Sequence, residues 1–375
     1  MTRLIILIIL FLLSLLAVLR APTYHLWLLA IAVTEFPIIF VLGTLIMLCT
    51  GFWTSKYQLA GTVVGFVTLI LFLSPILRSY MISGYIQQDM EKAFDQNTGE
   101  STRPFSLGKL FRLTLNGPVK TKTITYIKYA DGTSLSLDYF PSQLQGKRPC
   151  VIVVHGGSWS SGDSKQLPDL NNYLARKGYN VAAINYRLAP KYQAPAPVED
   201  IENAFIYLKQ RADELGIDTN NFVLMGRSAG AQIALLAAYT LHKKGLKGAI
   251  DFYGPTDMVW GYSIPSNPLI MNSRKVMDDY VGGPYPKVPD KYAASSPLFF
   301  VNKNSVPTLI IHGTNDVLVS WIHSNKLDTR LAENGVKHYW LKLPWATHGF
   351  DYNLYGPGGQ LSTFAVELFL NAVTR

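Results

Sequence analysis

The chain has 375 residues, enough for one compact domain plus an appendage, and the excess in its 49% of hydrophobic residues sits in the first 78 positions. Its formal net charge is +9, but no dense Lys/Arg run or nucleic-acid module accompanies that charge, so nucleic acid is not an expected partner. The two cysteines, Cys49 and Cys150, make neither a disulfide framework nor a zinc site, and no metal or organic cofactor is expected.

The run LIILIILFLLSLLAVL (4–19) is uncharged between Arg3 and Arg20. It falls slightly short of the roughly 20 apolar residues a span needs. A signal peptide has a similar shape, but more apolar sequence follows and no clear small-x-small site precedes it, which disfavours cleavage. Apolar runs at 26–53 and 59–77 come next, with Tyr24, Trp27, Trp53, Tyr57 and Tyr80 near their ends, as in an aromatic belt. Residues 1–78 therefore read as a multi-pass membrane region with three spans, the alternative being two spans and a signal sequence. Glu35, inside the second run and beside Pro37, reads as an interfacial residue, with the span starting near Phe36. Arg78, Lys92, Arg103, Lys109 and Arg112 follow the apolar region, suit anionic lipid, and favour a cytoplasmic C-terminal domain. Arg3 and Lys56 pull the orientation the other way.

Residues 79–118 read as a polar linker, with the amphipathic piece YMISGYIQQDMEKAF (80–94) lying along the membrane surface. From 119 to the C-terminus the pattern becomes that of a catalytic domain. KTITYIKYADGTSLSLDYF (122–140) alternates around Asp131-Gly132, so it reads as a hairpin. PCVIVVHGG (149–157), YNVAAINYR (179–187), NFVLMGRSAG (221–230), LKGAIDFYG (246–254), VPTLIIHGTND (306–316) and KHYWLKLP (337–344) contain further strands, several of them continuously apolar. Helical segments at 167–178, 197–216, 231–245, 320–335 and 358–375 separate or follow them. The alternation implies an α/β fold with a largely parallel sheet between helices, whose chemistry belongs on loops at the carboxyl ends of strands.

At one such end stands GRSAG (226–230). Ser228 reads either as a nucleophile on a tight strand-to-helix turn flanked by Gly226 and Gly230, or as an ordinary helix N-cap serine. A serine needs a base held by a carboxylate. Among the histidines after Ser228, His242 falls on the helix that starts at the serine, and His312 reads as a packed strand-end residue. His323 and His338 read as exposed, and His348, in the loop PWATHGF, is the best base. Asp316 follows the preceding strand directly, with Asp251 and Asp257 as rivals one strand earlier and Asp328 on a helix. The Ala229 amide at the helix start, with the paired glycines Gly156 and Gly157 of HGGSW, would form the oxyanion hole. His155 reads as a loop-shaping residue, and residues 258–300 as part of a cap or acyl pocket.

HGGSW, NYRLAP (185–190), PVEDIENAFIYL, GRSAG, SSPL (295–298), IIHGTNDVLV and THGF in this order resemble the α/β-hydrolase family. The likeness is to its hormone-sensitive-lipase-like and feruloyl-esterase-like carboxylesterases. It runs from about residue 122 to the C-terminus. The resemblance implies the same assignment: Ser228 nucleophile, Asp316 acid, His348 base, and Gly156, Gly157 and Ala229 amides at the oxyanion. Ser158 replaces a glycine common in the family loop, Arg227 stands where an acidic or polar residue is common, and Ala231 replaces a glycine usual in peptidase relatives. The membrane region has no counterpart in the usual soluble members. The expected function is a membrane-anchored serine hydrolase acting on small-molecule or lipid esters. An amidase or peptidase, a lipid acyltransferase and a non-enzymatic membrane scaffold are the alternatives.

Overall fold

The structure is a computed structural model that describes residues 1–53, 56–96, 103–112 and 117–374. Eight strands form one sheet: β1 (Lys122–Lys128), β2 (Ser134–Phe140), β3 (Arg148–Val154), β4 (Asn180–Ile184), β5 (Ile217–Arg227), β6 (Leu246–Phe252), β7 (Thr308–Gly313) and β8 (His338–Leu343). Their order is β1-β2-β4-β3-β5-β6-β7-β8. The β1–β2 hairpin pairs antiparallel, as does β2 with β4, and every pairing from β4 through β8 is parallel. The continuous apolar runs follow from burial on both faces. In β3, Ile152 and Val154 enter the hydrophobic core on one face, while Val151 and Val153 enter the core on the other.

Helices Ala196–Gln210 and Ala229–Thr240 contribute Ile201, Phe205, Ile233 and Leu236 to the first core. Pro168–Arg176 and Pro357–Thr374 contribute Leu170, Leu174, Leu361 and Phe369 to the second. Between β6 and β7 the chain makes three short helices, Met258–Ser263, Ser273–Val281 and Pro289–Ala294. The loops that hold Gly156, Ser228, Asp316 and His348 leave the carboxyl ends of β3, β5, β7 and β8, on one rim of the sheet.

The N-terminal third differs from the three straight spans expected. Among the described residues one helix, Gln58–Ser83, is long and apolar enough to cross a membrane. It covers about 39 Å at 1.5 Å per residue. The first run forms a shorter helix, Thr2–Ser14, with a 3₁₀ extension. The second is broken: Tyr24–Glu35 and the helix from Pro37 are bent by 82°. Pro37 opens the second piece, where its missing N–H costs nothing.

Two further expectations are corrected here. Residues 80–94 do not form a free surface piece. The helix Gln58–Ser83 includes only the first of them, and the separate helix Ile86–Ala93 packs on the catalytic domain, with Ile86, Met90 and Phe94 buried in the second core. Phe94 meets Phe369 with ring centroids 5.1 Å apart. The linker reading for 97–102 and 113–116 lies outside the described residues. Glu35 is not interfacial but buried, because its carboxylate has donors: Glu35 Oε2 accepts from the amides of Gly358 (2.9 Å) and Gly359 (3.3 Å), in the first turn of Pro357–Thr374. A carboxylate there satisfies amides that the helix cannot pair internally. A Cβ at Gly356 would lie 2.4 Å from Glu35 Oε2, so the close approach requires glycine.

Candidate active site

The turn after β5 is compact because two glycines allow it. A Cβ on Gly226 would lie 2.3 Å from the Gly230 carbonyl oxygen, and one on Gly230 would lie 2.3 Å from the carbonyl oxygens of His155 and Val154. Both distances are far inside van der Waals contact. Ser228, between them, adopts φ 53° and ψ −124°, a conformation that L-residues rarely take. It precedes helix Ala229–Thr240, yet its side chain makes no capping hydrogen bond. The capping alternative therefore fails, and the strained turn instead puts the hydroxyl on a cavity wall that His348 also lines.

His348 stands after β8, and its Nδ1 lies 2.7 Å from Asp316 Oδ2, after β7. In a neutral imidazole a carboxylate at Nδ1 favours the tautomer that carries its proton there and leaves Nε2 as the acceptor. Asp316 Oδ1 accepts from the amides of Leu318 (2.8 Å) and Val319 (2.9 Å), and His312 Nε2 stands 3.2 Å from Oδ2. Burial works to raise the carboxyl's pKa. The neighbouring His348 and the hydrogen bonds from His312 and His348 outweigh burial and hold it well below the usual carboxylate range.

The loop after β3 is held on every side. His155 Nδ1 lies 2.7 Å from the Gly156 carbonyl oxygen, and its ring stacks on Tyr186 at 4.3 Å. The Trp159 indole N–H donates to Gln232 Oε1 at 2.8 Å and stacks on Tyr280 at 4.6 Å. The Gly156 amide, expected at the oxyanion, is corrected: it donates to Gln166 Oε1 at 2.7 Å and is already satisfied. The amides of Gly157, Ser158 and Ala229 have no protein acceptor among the described residues. Gly157, Ser158 and Trp159 all have positive φ, which turns successive amides in a way a regular strand would not.

The remaining candidates fall elsewhere. His242 lies just past the end of helix Ala229–Thr240 and is exposed. His312 is buried, with Nδ1 2.6 Å from Ser324 Oγ. His323 is not exposed: its Nδ1 accepts from the Asp257 amide at 3.3 Å, and burial pushes its pKa down to about 3. His338 is half-buried, 3.3 Å from Asp328. Asp257 caps helix Met258–Ser263 and pairs with Lys326 at 2.5 Å. Asp251 accepts from the Gly254 amide beneath the site.

Sequence reading did not find a second buried group behind His348. Arg227 Nε donates to Asp351 Oδ2 and the Tyr253 hydroxyl to Asp351 Oδ1, each at 2.5 Å, and the Tyr253 ring lies 4.4 Å from the His348 ring. Burial, then the Asp351 charge, pushes the Tyr253 phenol well above its ordinary value, so it remains a donor. Arg227, the departure in GRSAG, is thus a paired residue. Gln166 and Trp27 were also missed. Neither belongs to a motif, and only the fold brings them to the loops they touch.

Two cavities, of about 390 and 540 Å³, adjoin at Ser228 and share Ser158, Ile270, Met271 and Leu318. The first is walled in part by the excursion between β6 and β7, including Ile264, Val276 and Met277.

Residues 137–331, just over half of the chain, match the BD-FAE family. The chain belongs to the BD-FAE family. This BD-FAE member is 26% identical over 380 aligned positions to the "Probable carboxylic ester hydrolase LipM" of Mycobacterium tuberculosis, covering 92% of this chain and 86% of that one. It is 28% identical to "Esterase LipC" of the same organism, covering 66% of this chain and 65% of that one. Among solved structures it superposes on "Bacterial Heroin Esterase" with a TM-score of 0.61 at 20% identity, covering 72% of this chain and 89% of the other. The carboxylesterase EstE1, cloned from a metagenomic library, gives 0.60 at 20% identity, covering 77% and 98%. These superpositions establish the α/β-hydrolase fold of this BD-FAE member.

Proposed function

We propose that this chain is a membrane-attached serine hydrolase that cleaves carboxylic esters through an acyl-enzyme on Ser228. The observation that carries the reading is the strained, non-capping Ser228 sharing a cavity with His348, whose far ring nitrogen rests on Asp316. Ester-cleaving relatives by name, LipM and LipC, support the bond type. An amidase or acyltransferase would use the same three groups; the named relatives favour ester cleavage by water.

In the reaction, Ser228 Oγ attacks the ester carbonyl carbon while His348 Nε2 takes the hydroxyl proton. The carbonyl oxygen becomes an oxyanion facing the Gly157, Ser158 and Ala229 amides. Collapse breaks the bond to the alcohol oxygen, which leaves with the proton from His348. Water then attacks the acyl-enzyme, gives a proton to His348, and the second collapse returns that proton to Ser228 Oγ and releases the acid. Asp316 fixes the ring and stabilises the imidazolium.

Membrane attachment is supported by helix Gln58–Ser83, which leaves Leu59, Val63, Phe66, Ile70 and Leu77 exposed along its length. An apolar surface of that extent suits lipid.

Full-length protein in detergent tests the catalytic reading with a fluorophosphonate probe and p-nitrophenyl butyrate. Wild type is expected to label and turn over, and Ser228→Ala to do neither. Equal labelling of Ser228→Ala would remove Ser228 from the reaction, and labelling without turnover of any ester would shift the reading to amides.

A further inference from the structure

The segment joining the first two apolar runs, together with the start of the second, enters the candidate active site. Arg20, Ala21 and Pro22 line the cavity on one side of Ser228, while Tyr24, Trp27, Leu28 and Ile31 line the cavity on the other. Hydrogen bonds fix this segment to the loops around the site. Arg20 Nη2 donates to the Thr314 carbonyl (3.1 Å), Asn267 Nδ2 to the Pro22 carbonyl (3.0 Å), and the Tyr24 amide to the Leu269 carbonyl (3.2 Å). The Trp27 indole N–H donates to the carbonyl of His348 itself at 2.9 Å. At the end of the helix, Asn353 Nδ2 donates to the Glu35 carbonyl at 2.7 Å. An anchor serving only to fix location has no need of a seam with the loops of Asp316 and His348.

The rim that this segment completes is apolar and open. Leu19, Tyr24 and Leu28 are exposed on the N-terminal side, with Ile264, Leu269 and Tyr352 exposed across from them. Continuing past Pro37, the same chain presents exposed Ile39, Leu42 and Ile46. A chain of methylenes leaving the cavity along Tyr24, Leu28 and Ile31 would therefore lie against apolar side chains. A short soluble ester would leave most of the cavity wall unfilled, and water would leave the exposed leucines uncovered.

Resting on the ester-hydrolase reading, we propose that residues 20–31 are a specificity element of the active site. Its substrate is a bilayer-resident carboxylic ester whose long hydrocarbon chain lies against Tyr24, Leu28 and Ile31 while its carbonyl reaches Ser228. The segment sets the preference for chain length, and the membrane supplies the substrate from the side.

The test uses full-length protein in phosphatidylcholine vesicles and takes, within each preparation, the ratio of rates on p-nitrophenyl palmitate and p-nitrophenyl butyrate. The ratio cancels differences in folded fraction. Wild type is expected to favour palmitate. Leu28→Glu, which puts a charge against the chain, is expected to lower the ratio roughly tenfold, the equivalent of about two methylenes out of contact. Leu28→Trp, which keeps the wall apolar but narrows the cavity, is expected to lower it as well. Turnover of both esters with a ratio that neither variant changes by more than twofold overturns the proposal while leaving the esterase reading standing. Failure of wild type on both esters overturns the esterase reading and this proposal with it.

Discussion

The indole N–H of Trp27 donates to the backbone carbonyl of His348 at 2.9 Å, and the two rings lie 6.4 Å apart. A residue of the N-terminal apolar region thus holds the loop that carries the proposed base, His348. The bond constrains the backbone of His348, while Asp316 constrains its ring. Trp27→Phe keeps the ring and removes the donor. A hydrogen bond of this kind contributes about 1 kcal/mol net, so kcat/KM on p-nitrophenyl butyrate is expected to fall about 3- to 10-fold. Steady-state kinetics on both proteins checks this, and an unchanged value would mean that the loop is held without Trp27.

The Asp316 carboxylate has four partners, and only one of them is His348, the proposed base. With the amides of Leu318 and Val319 on Oδ1 and His312 near Oδ2, the loop keeps its ties when the charge is removed. Asp316→Asn is therefore expected to fold and to lose kcat by about 10³- to 10⁴-fold, because an amide there no longer holds the proton on His348 Nδ1. Single-turnover measurement of acylation, beside a melting curve, separates this outcome from simple unfolding. A loss below tenfold would assign the orienting role to another group.

Arg227 and Asp351 are both buried, and Arg227 Nη2 has no partner among the described residues. Removing one charge leaves the other buried and unpaired. Asp351→Asn is expected to destabilise by about 3–5 kcal/mol, whereas Arg227→Met combined with Asp351→Leu is expected to recover most of that loss. Urea or thermal unfolding of the three proteins reads the coupling. Equal stability of the single variant and wild type would show that the pair is not the support for Tyr253 and His348 that its geometry suggests.

What was readable in the sequence follows how local each feature is. Strand and helix order depends on periodicity and turn residues within a few positions, so β1 through β8 could be placed before any contact was known. The GRSAG turn was legible because Gly226 and Gly230 sit within two residues of Ser228, and their need is steric. The Gly156 amide was misplaced because its acceptor, Gln166, is ten residues away with no motif marking it. Glu35 was misread for a related reason. Its place beside Pro37 at the edge of an apolar run reads as interfacial, but the two amides that make its burial tolerable lie more than 300 residues downstream. The 82° bend that turns helix Tyr24–Glu35 onto the catalytic domain has a local sign in Pro37, which marks a break but not a direction.

Asp251 lies beneath the site with Oδ1 accepting from the Gly254 amide at 2.7 Å and Oδ2 without a partner among the described residues. Burial pushes its carboxyl up to about 7, against the opposing effects of the His312 charge and the Gly254 hydrogen bond. The folded chain thus holds the proton to higher pH than the unfolded chain, whose aspartates titrate near 3.9. A raised value of this kind favours the fold fully below about pH 4, and that advantage is lost as pH rises through about 7. Asp251→Asn keeps an oxygen for the Gly254 amide and carries no charge at any pH. The variant's melting temperature relative to wild type is therefore expected to climb steadily between pH 5 and pH 7 and to level off above that. Paired melts across this range check it, and a difference that does not change with pH would mean that Asp251 keeps one protonation state throughout.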